Sequence, residues 1–442
     1  MQKPGDFMNG KLIVVGANQG ALAFAYMAAK RGFDVTVYEK KRRADVSYVW
    51  TDDFSCTAFS DAGLPQPPEK LLKRTRNLCF VAPNKALFPV GQPEETLDFC
   101  VERRPLNAWL EEKAVGAGAK IRYETKVCSA LVKDNRVCGV VFENGSEEEC
   151  DLVVDCGGVD SALRASLPPL FGIQAAVKES DCFSVRRTLF DRAKDSPFPK
   201  NPKKIYLKHL GEPGISWCVL TQDEKHADVL IGRVGELSFD SEKAALSDLK
   251  NENPIIGDGF LPGSGGLYKI PVRPALSKIF APGYVLLGDS ACMTIPMIGS
   301  GIAAGFKSAK ILAETIAFAS VDPFSGENLY RFQLRFMKEI GTFHAVIGIV
   351  KNVLLKTETE KINRIIDSGI MSAIVLASEG EKGGVLKAIV SLAKSEPKIF
   401  AGILKLVASC VKTAAVCAAM PKKYGEKSFE KWQAAYEKAI SG

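Results

Sequence analysis

Histidine is almost missing from this 442-residue chain. The three present, His209, His226 and His344, have no carboxylate or second histidine at metal-ligand spacing. That argues against a His-based metal centre and against a Ser-His-Asp hydrolase. Cysteine is plentiful, at twelve, but no Cys-x-x-Cys pair or metal-like cluster occurs. Scattered in this way, the cysteines suggest reduced thiols in a cytoplasm and no disulfide framework. Coiled-coil heptads and internal repeats are also lacking, so oligomeric state is not written in the pattern. Residues 1–10 are polar and the first apolar run has the character of a strand, so no cleavable signal is expected.

What is present is the composition of a folded protein, 46% hydrophobic and 25% charged, at a length that suits two or three domains. The net charge of +7 is uneven: residues from 321 onward carry 18 basic and 12 acidic side chains, a net of +6. The excess therefore belongs to the C-terminal region, and no nucleic-acid partner is expected for the body.

The run Lys11-Leu12-Ile13-Val14-Val15 ends in Gly16-Ala17-Asn18-Gln19-Gly20-Ala21, followed by a helical pattern and a second strand that closes on Glu39 and Lys40. This is β-turn-α-β at the spacing of a nucleotide-binding unit, where bare backbone and a helix N-terminus hold a pyrophosphate. Glu39 stands where a carboxylate can bind ribose hydroxyls. The glycine fingerprint G-x-G-x-x-G is altered, with Asn18 and Ala21 in place of its second and third glycines. Asn is among the few residues that tolerate φ > 0 and Ala is nearly as small as Gly, so the site is retained in this reading; a structural βαβ unit with an incidental turn is the alternative.

A second segment completes the first. Gly283-Tyr284-Val285-Leu286-Leu287-Gly288-Asp289-Ser290-Ala291 reads as a buried strand ending in Gly-Asp, and Pro296-x-x-Gly299-Ser300-Gly301-Ile302 leads into a helix. An Asp just past a strand can accept hydrogen bonds from a ribityl chain, and a Gly-x-Gly at a helix start can approach a flavin ring edge.

Those residues resemble the G-D-(A/S)-A…P…G-x-G-(I/M) signature of the flavoprotein class that includes aromatic hydroxylases and geranylgeranyl reductases. Val101-Glu102-Arg103-Arg104-Pro105-Leu106 resembles the class's V-(D/E)-R-x-x-(F/L) helix, whose arginine, here Arg103, touches the cofactor. The segment from Asp151 to Arg164 resembles its V-x-A-D-G-x-x-S-x-x-R strand and turn, with Gly157 where the class has Asp and Gly158 in place. The resemblance spans residues 12 to about 317 and implies FAD as cofactor, with Val127 added to the cofactor-binding set. It implies an α/β fold: a Rossmann-like FAD-binding domain (1–50, 95–168 and 268–320), an inserted antiparallel-sheet substrate domain (51–94 and 169–267) and a helical C-terminal region (321–442).

Within the class, Gly214-Ile215-Ser216-Trp217 resembles the geranylgeranyl reductases' G-Y-x-W strand, with Trp217 matching, and Gly265-Gly266-Leu267-Tyr268-Lys269-Ile270-Pro271 resembles their G-G-x-I-P strand. Stretches 204–210, 215–221 and 229–234 alternate as strands, so a sheet lying over the flavin face is expected. Tyr48 and Trp50, followed by Asp52 and Asp53, read either as the mouth of a substrate cavity or as an aromatic edge with a solvated Asp pair. Cys56 reads either as a redox cysteine near the flavin or as a small buried side chain. Cys56 and Trp217 are the candidate catalytic residues, and Tyr48, Trp50 and Trp217 the candidate substrate contacts.

The C-terminal region reads as helices broken at Gly369, 380–384, Pro397 and Pro421. In its apolar stretch 399–420, Lys398, Gly402, Lys405, Ser409 and Lys412 form one narrow stripe, with Ile399, Phe400, Leu404, Val407, Val411 and Val416 off it. Two central lysines would each cost about 2.5–3.5 kcal/mol in a bilayer core, which argues against a spanning helix. A basic amphipathic helix on the inner face of an anionic membrane is one reading; packing on the protein with the lysines in water is the other.

The reductase resemblance implies hydride transfer from reduced flavin to a C=C bond of an isoprenoid or other apolar lipid substrate. The electron donor is either NAD(P)H or a ferredoxin-like carrier, since no second glycine-rich βαβ unit is seen. An FAD-dependent aromatic monooxygenase is the first alternative, and a non-catalytic relative the second.

Overall fold

The computed structural model describes residues 10–90, 97–319, 321–367 and 393–441. The breaks read at Gly369 and 380–384, and nearly all of the polar N-terminal stretch, lie outside them.

Four consecutive apolar residues, Leu12 to Val15, can be buried on both faces only in the middle of a parallel sheet. The strand Lys11–Val15 is there, between Asp34–Tyr38 on one side and Leu152–Asp155 on the other. Tyr284–Leu286 and Lys120–Arg122 extend the parallel set outward, and Phe280–Ala281 closes one edge antiparallel. The helix Gln19–Ala29 lies on one face of this sheet between the helices Arg103–Gly116 and Ile302–Ala317. An antiparallel meander of Val127–Lys133, Arg136–Phe142 and Glu147–Glu149 lies on the other.

The second sheet has eight strands. Its longest, Cys182–Arg192, has His226–Val234 on one side and Ile256–Phe260 and Gly266–Pro271 on the other. Gly214–Leu220, Lys203–Leu207, Leu78–Val81 and Leu87–Val90 continue the sheet beyond His226–Val234. The expected strand 204–210 stops at Leu207 because Lys208 turns left-handed (φ 43°) into a short turn, His209–Gly211. The strand Cys182–Arg192 was not anticipated, since Arg186, Arg187 and Asp191 interrupt its apolar pattern.

The C-terminal helices wrap back onto the parallel-sheet domain. Glu426–Ile440 buries Phe429, Trp432 and Tyr436, and the Phe429 ring lies 5.9 Å from Phe280 and 5.2 Å from Tyr330. Arg273 pairs with Glu437 at 3.0 Å, and the Tyr436 hydroxyl donates to the Ala275 carbonyl. Phe429→Ala should therefore cost about 3–5 kcal/mol of stability, read from urea unfolding of the whole chain.

Candidate functional site

The first turn is built by Gly16 and Asn18. Gly16 has φ +98°, and a Cβ there would stand 2.7 Å from the Cys156 carbonyl oxygen, so only glycine fits where the two strand ends meet. Asn18 departs from the reading above: it is extended (φ −77°), not left-handed. Its Oδ1 accepts from the Ala21 amide at 3.1 Å and its Nδ2 donates to the Cys156 carbonyl at 2.9 Å. It is kept as a helix N-cap that also ties the turn to the neighbouring strand. Gly20 lies 3.7 Å from the position a Cβ would take on Gly305, and Ala21 is fully buried, so the two helix starts approach closely. Glu39, nearly buried, accepts from the amides of Ala17 and Lys41, both at 2.9 Å, while Lys40 is exposed. Val127 is a core residue of the meander.

The third turn hangs on a residue that the motif comparison passed over. Asp155, fully buried, accepts from the amide of Gly157 at 2.8 Å and from the hydroxyls of Ser161 and Tyr284, both at 2.5 Å. Burial pushes its carboxyl up, and those hydrogen bonds oppose the shift. Gly157 is small for a reason: a Cβ would stand 3.0 Å from Asp155 Oδ1. Gly158 supplies a positive φ of 87°. Arg164 then donates to the carbonyls of Ser290 and Val159, joining this turn to the Gly288-Asp289 turn.

Gly288 (φ +75°) and Gly299 (φ +68°) shape the last two turns, and Ile295 and Ser300 close the loop before the helix Ile302–Ala317. That helix begins at Gly301 with no side-chain cap, so its first amides have no intrahelical partner. The Asp289 carboxylate accepts no hydrogen bond from any described residue, and its Oδ1 lies 3.5 Å from where a Gly301 Cβ would stand. Burial pushes its carboxyl up, and Arg103 opposes that. Arg103 pairs with Asp52 at 3.1 Å and donates to Gln19 at 3.2 Å, yet its buried Nε has no partner. An uncapped helix start, an unpartnered carboxylate and an unpartnered guanidinium nitrogen fit the ribityl and pyrophosphate parts of FAD.

The remaining candidates fall into two groups. Tyr48 and Trp50 stack 4.3 Å apart, and Trp50 and Trp217 cover the two faces of Arg187. Cys56 is half-buried against the main core. Beside the glycine-rich loop, a cavity of about 100 Å³ lies between the eight-stranded sheet and the helices Thr342–Lys356 and Thr359–Asp367. Phe183, Ile215, Val234, Leu354 and Pro296 are among its apolar lining residues, and among the described residues Lys208 and Lys351 are the only charged ones that line it. Tyr48, Trp50, Trp217 and Cys56 are not among them. His209 does find partners, Ser216 at 3.0 Å and Asp248 at 3.0 Å, but Ser216 is buried in the sheet, where no substrate reaches it.

These turns, arranged on a parallel sheet with a second sheet alongside, form the mixed α/β FAD-binding fold also seen in geranylgeranyl reductase-like proteins, flavin monooxygenases and halogenases. The geranylgeranyl bacteriochlorophyll reductase-like protein of Thermoplasma acidophilum has the same fold, with a TM-score of 0.75 and 18% identity over 90% of this chain and 99% of that one. CtdE, solved with FAD and a substrate, is more distant, with a TM-score of 0.60 and 15% identity over 79% of this chain and 91% of its own. In sequence, the chain is 24% identical to digeranylgeranylglycerophospholipid reductase 2 of Methanopyrus kandleri, over 85% of this chain and 94% of that protein. No protein-family model matches. The chain is thus a distant homologue of digeranylgeranylglycerophospholipid reductases.

Two outcomes follow from the site. Asp289→Ala should weaken FAD retention by about 1.5–3 kcal/mol, read by titrating the apoprotein with FAD. Lys351 is nearly buried, donates to the Val272 carbonyl, and is lowered by burial from its ordinary 10.5 to about 8, with Asp181 opposing the shift. Between those values the unfolded chain holds the proton that the folded chain has released, so Lys351 makes stability rise with pH there. Unfolding midpoints measured from pH 7.5 to 10.5 should lose that rise in Lys351→Met.

Proposed function

We propose that this chain uses FAD to reduce C=C bonds of an isoprenoid or similarly apolar substrate. The observation that carries this is the cavity beside Pro296 and Met297: it adjoins the glycine-rich loop and is apolar apart from two lysines. Reduced flavin, when bound, supplies the hydride. The chain's own part is to hold the cofactor through the Gly16, Gly158 and Gly288 turns and Arg103, to orient an apolar chain between Phe183, Ile215 and Leu354, and to keep water from it. The electron donor in this proposal is NAD(P)H or a ferredoxin-like carrier that docks transiently.

The helix Pro397–Ala418 supports contact with a membrane surface. It has 22 residues and a mean hydropathy of 1.8 in its most apolar window, which is long and apolar enough to cross a bilayer by length and composition. It packs along the helix Thr342–Lys356, and Trp432 donates to the Val416 carbonyl. Lys398, Lys405 and Lys412 face water, but so do Leu404 (54% exposed), Val407 (52%) and Val411 (64%). We place this helix flat on an anionic cytoplasmic membrane face, with the apolar triad in the acyl boundary and the lysines at the headgroups.

The test is anaerobic reoxidation of the reduced holoprotein. Flavin reoxidised by a long prenyl chain without oxygen is the expected result. Reoxidation by oxygen alone would replace this reading with a monooxygenase, and a chain that binds no FAD would make it non-catalytic. In the same preparation, vesicles containing anionic lipid should co-sediment the chain, and Leu404→Glu/Val411→Glu should abolish that; unchanged sedimentation would remove the membrane contact.

A further inference from the structure

One face of the eight-stranded sheet carries two different surfaces. Arg187 and Trp217 both stand opposite Leu230 in register, so the three share a face. Two and four residues along the same strands, Ile215 and Phe183 line the apolar cavity. The other end of that face is charged, and it is buried. Arg187 is 7% exposed; its Nε donates to Asp228 at 3.0 Å and its terminal nitrogens to Asp52 at 3.2 Å and the Thr51 carbonyl at 2.7 Å. Trp50 and Trp217 close on its two faces at 4.8 and 4.9 Å. Trp217 also donates to Asp228 at 3.3 Å.

The arrangement continues toward the turns. Tyr48 stacks on Trp50, and the Arg103 guanidinium lies 4.8 Å over Tyr48. Arg103, Tyr48, Trp50, Arg187 and Trp217 thus form one continuous series of cation–π and ring-stacking contacts. Asp52 bridges its two guanidiniums, pairing with both Arg103 and Arg187. Arg103 in turn bonds Gln19, at the start of the first helix, and is the cation that acts on Asp289. Arg187 and Asp228 are buried while Arg103 and Asp52 are half-buried, and a network of this kind is weak as a source of stability, because desolvation offsets much of its attraction. What it provides is fixed geometry.

We infer that Arg187 is a positioning residue of the cofactor site: held by Asp228 and clamped between Trp50 and Trp217, it fixes Asp52, and Asp52 fixes the Arg103 guanidinium toward the Gly-Asp turn. The inference rests on the flavin reading above. It also gives Trp50 and Trp217 a role other than substrate contact.

The test is a mutant cycle read by FAD affinity and by the midpoint potential of the bound flavin. Asp52→Asn and Arg187→Lys should each weaken FAD binding about tenfold, and their combination should be no worse than the more severe single change. In an Arg103→Ala background neither should change FAD affinity further. Trp217→Phe, which keeps an aromatic face but loses the bond to Asp228, should give a smaller loss and carries the test if Arg187→Lys does not fold. A purely structural role would lower the unfolding midpoint of these variants and leave FAD affinity and potential unchanged; that result, or additive losses with Arg103→Ala, would overturn the inference. If the wild-type chain binds no FAD, the flavin reading fails first and this one with it; tight FAD binding in every variant defeats this one alone.

Discussion

Asp155 is the point on which the cofactor half of the molecule depends. Its carboxylate takes the Gly157 amide and the hydroxyls of Ser161 and Tyr284, while its backbone carbonyl takes the Leu287 amide and the Ser290 hydroxyl. Two strands and two glycine-bearing turns are therefore referred to a single residue at the end of one strand. A carboxylate buried this completely is tolerated only because its acceptor positions are filled. The turn that follows can then do without an aspartate of its own at position 157, where added bulk would press on the same carboxylate.

The neighbouring sheet solves a different problem. An apolar substrate site needs a dry wall, and a site for an anionic cofactor needs oriented cations. Strand alternation puts an apolar end, Phe183 and Ile215, and a charged end, Arg187 and Asp228, on one sheet face. The aromatic rings between them exclude water from the ion pairs and are themselves held by the guanidiniums. Tyr268, edge-on to both Tyr48 and Trp50, ties this stack to the strand that runs toward the glycine-rich loop.

Local signals were the legible ones. The β-turn-α-β unit at Lys11–Tyr38, the Gly-Asp turn and the Gly-x-Gly helix start before Ile302 depend on residues within a few positions of one another, and the fold follows from them. Asn18 was located but its conformation was misread, because tolerance of a left-handed backbone and capping of a helix draw on the same short amide side chain; only the geometry separates them. The partners of Arg103 and Arg187 could not be read, since Asp52 is 135 residues from Arg187 along the chain. The strand Cys182–Arg192 was hidden for the same reason: its charged residues look like solvent-facing ones until the distant carboxylates that neutralise them are known. The lysine stripe on Pro397–Ala418 is exposed, and Leu404, Val407 and Val411 share that exposure, because the packing face runs through Ile403, Leu406, Thr413 and Cys417.

The docking of Glu426–Ile440 has a consequence for how the molecule comes into being. Glu437 and Tyr436 anchor Arg273 and Ala275, which lie just ahead of the Gly-Asp strand, while the first glycine turn stands near the other end of the chain. During synthesis the βαβ unit Lys11–Tyr38 emerges well before Glu426–Ile440, so its partner turn is braced only later. A chain interrupted before this helix would lack the contacts that brace Arg273 and Ala275 beside the nucleotide half.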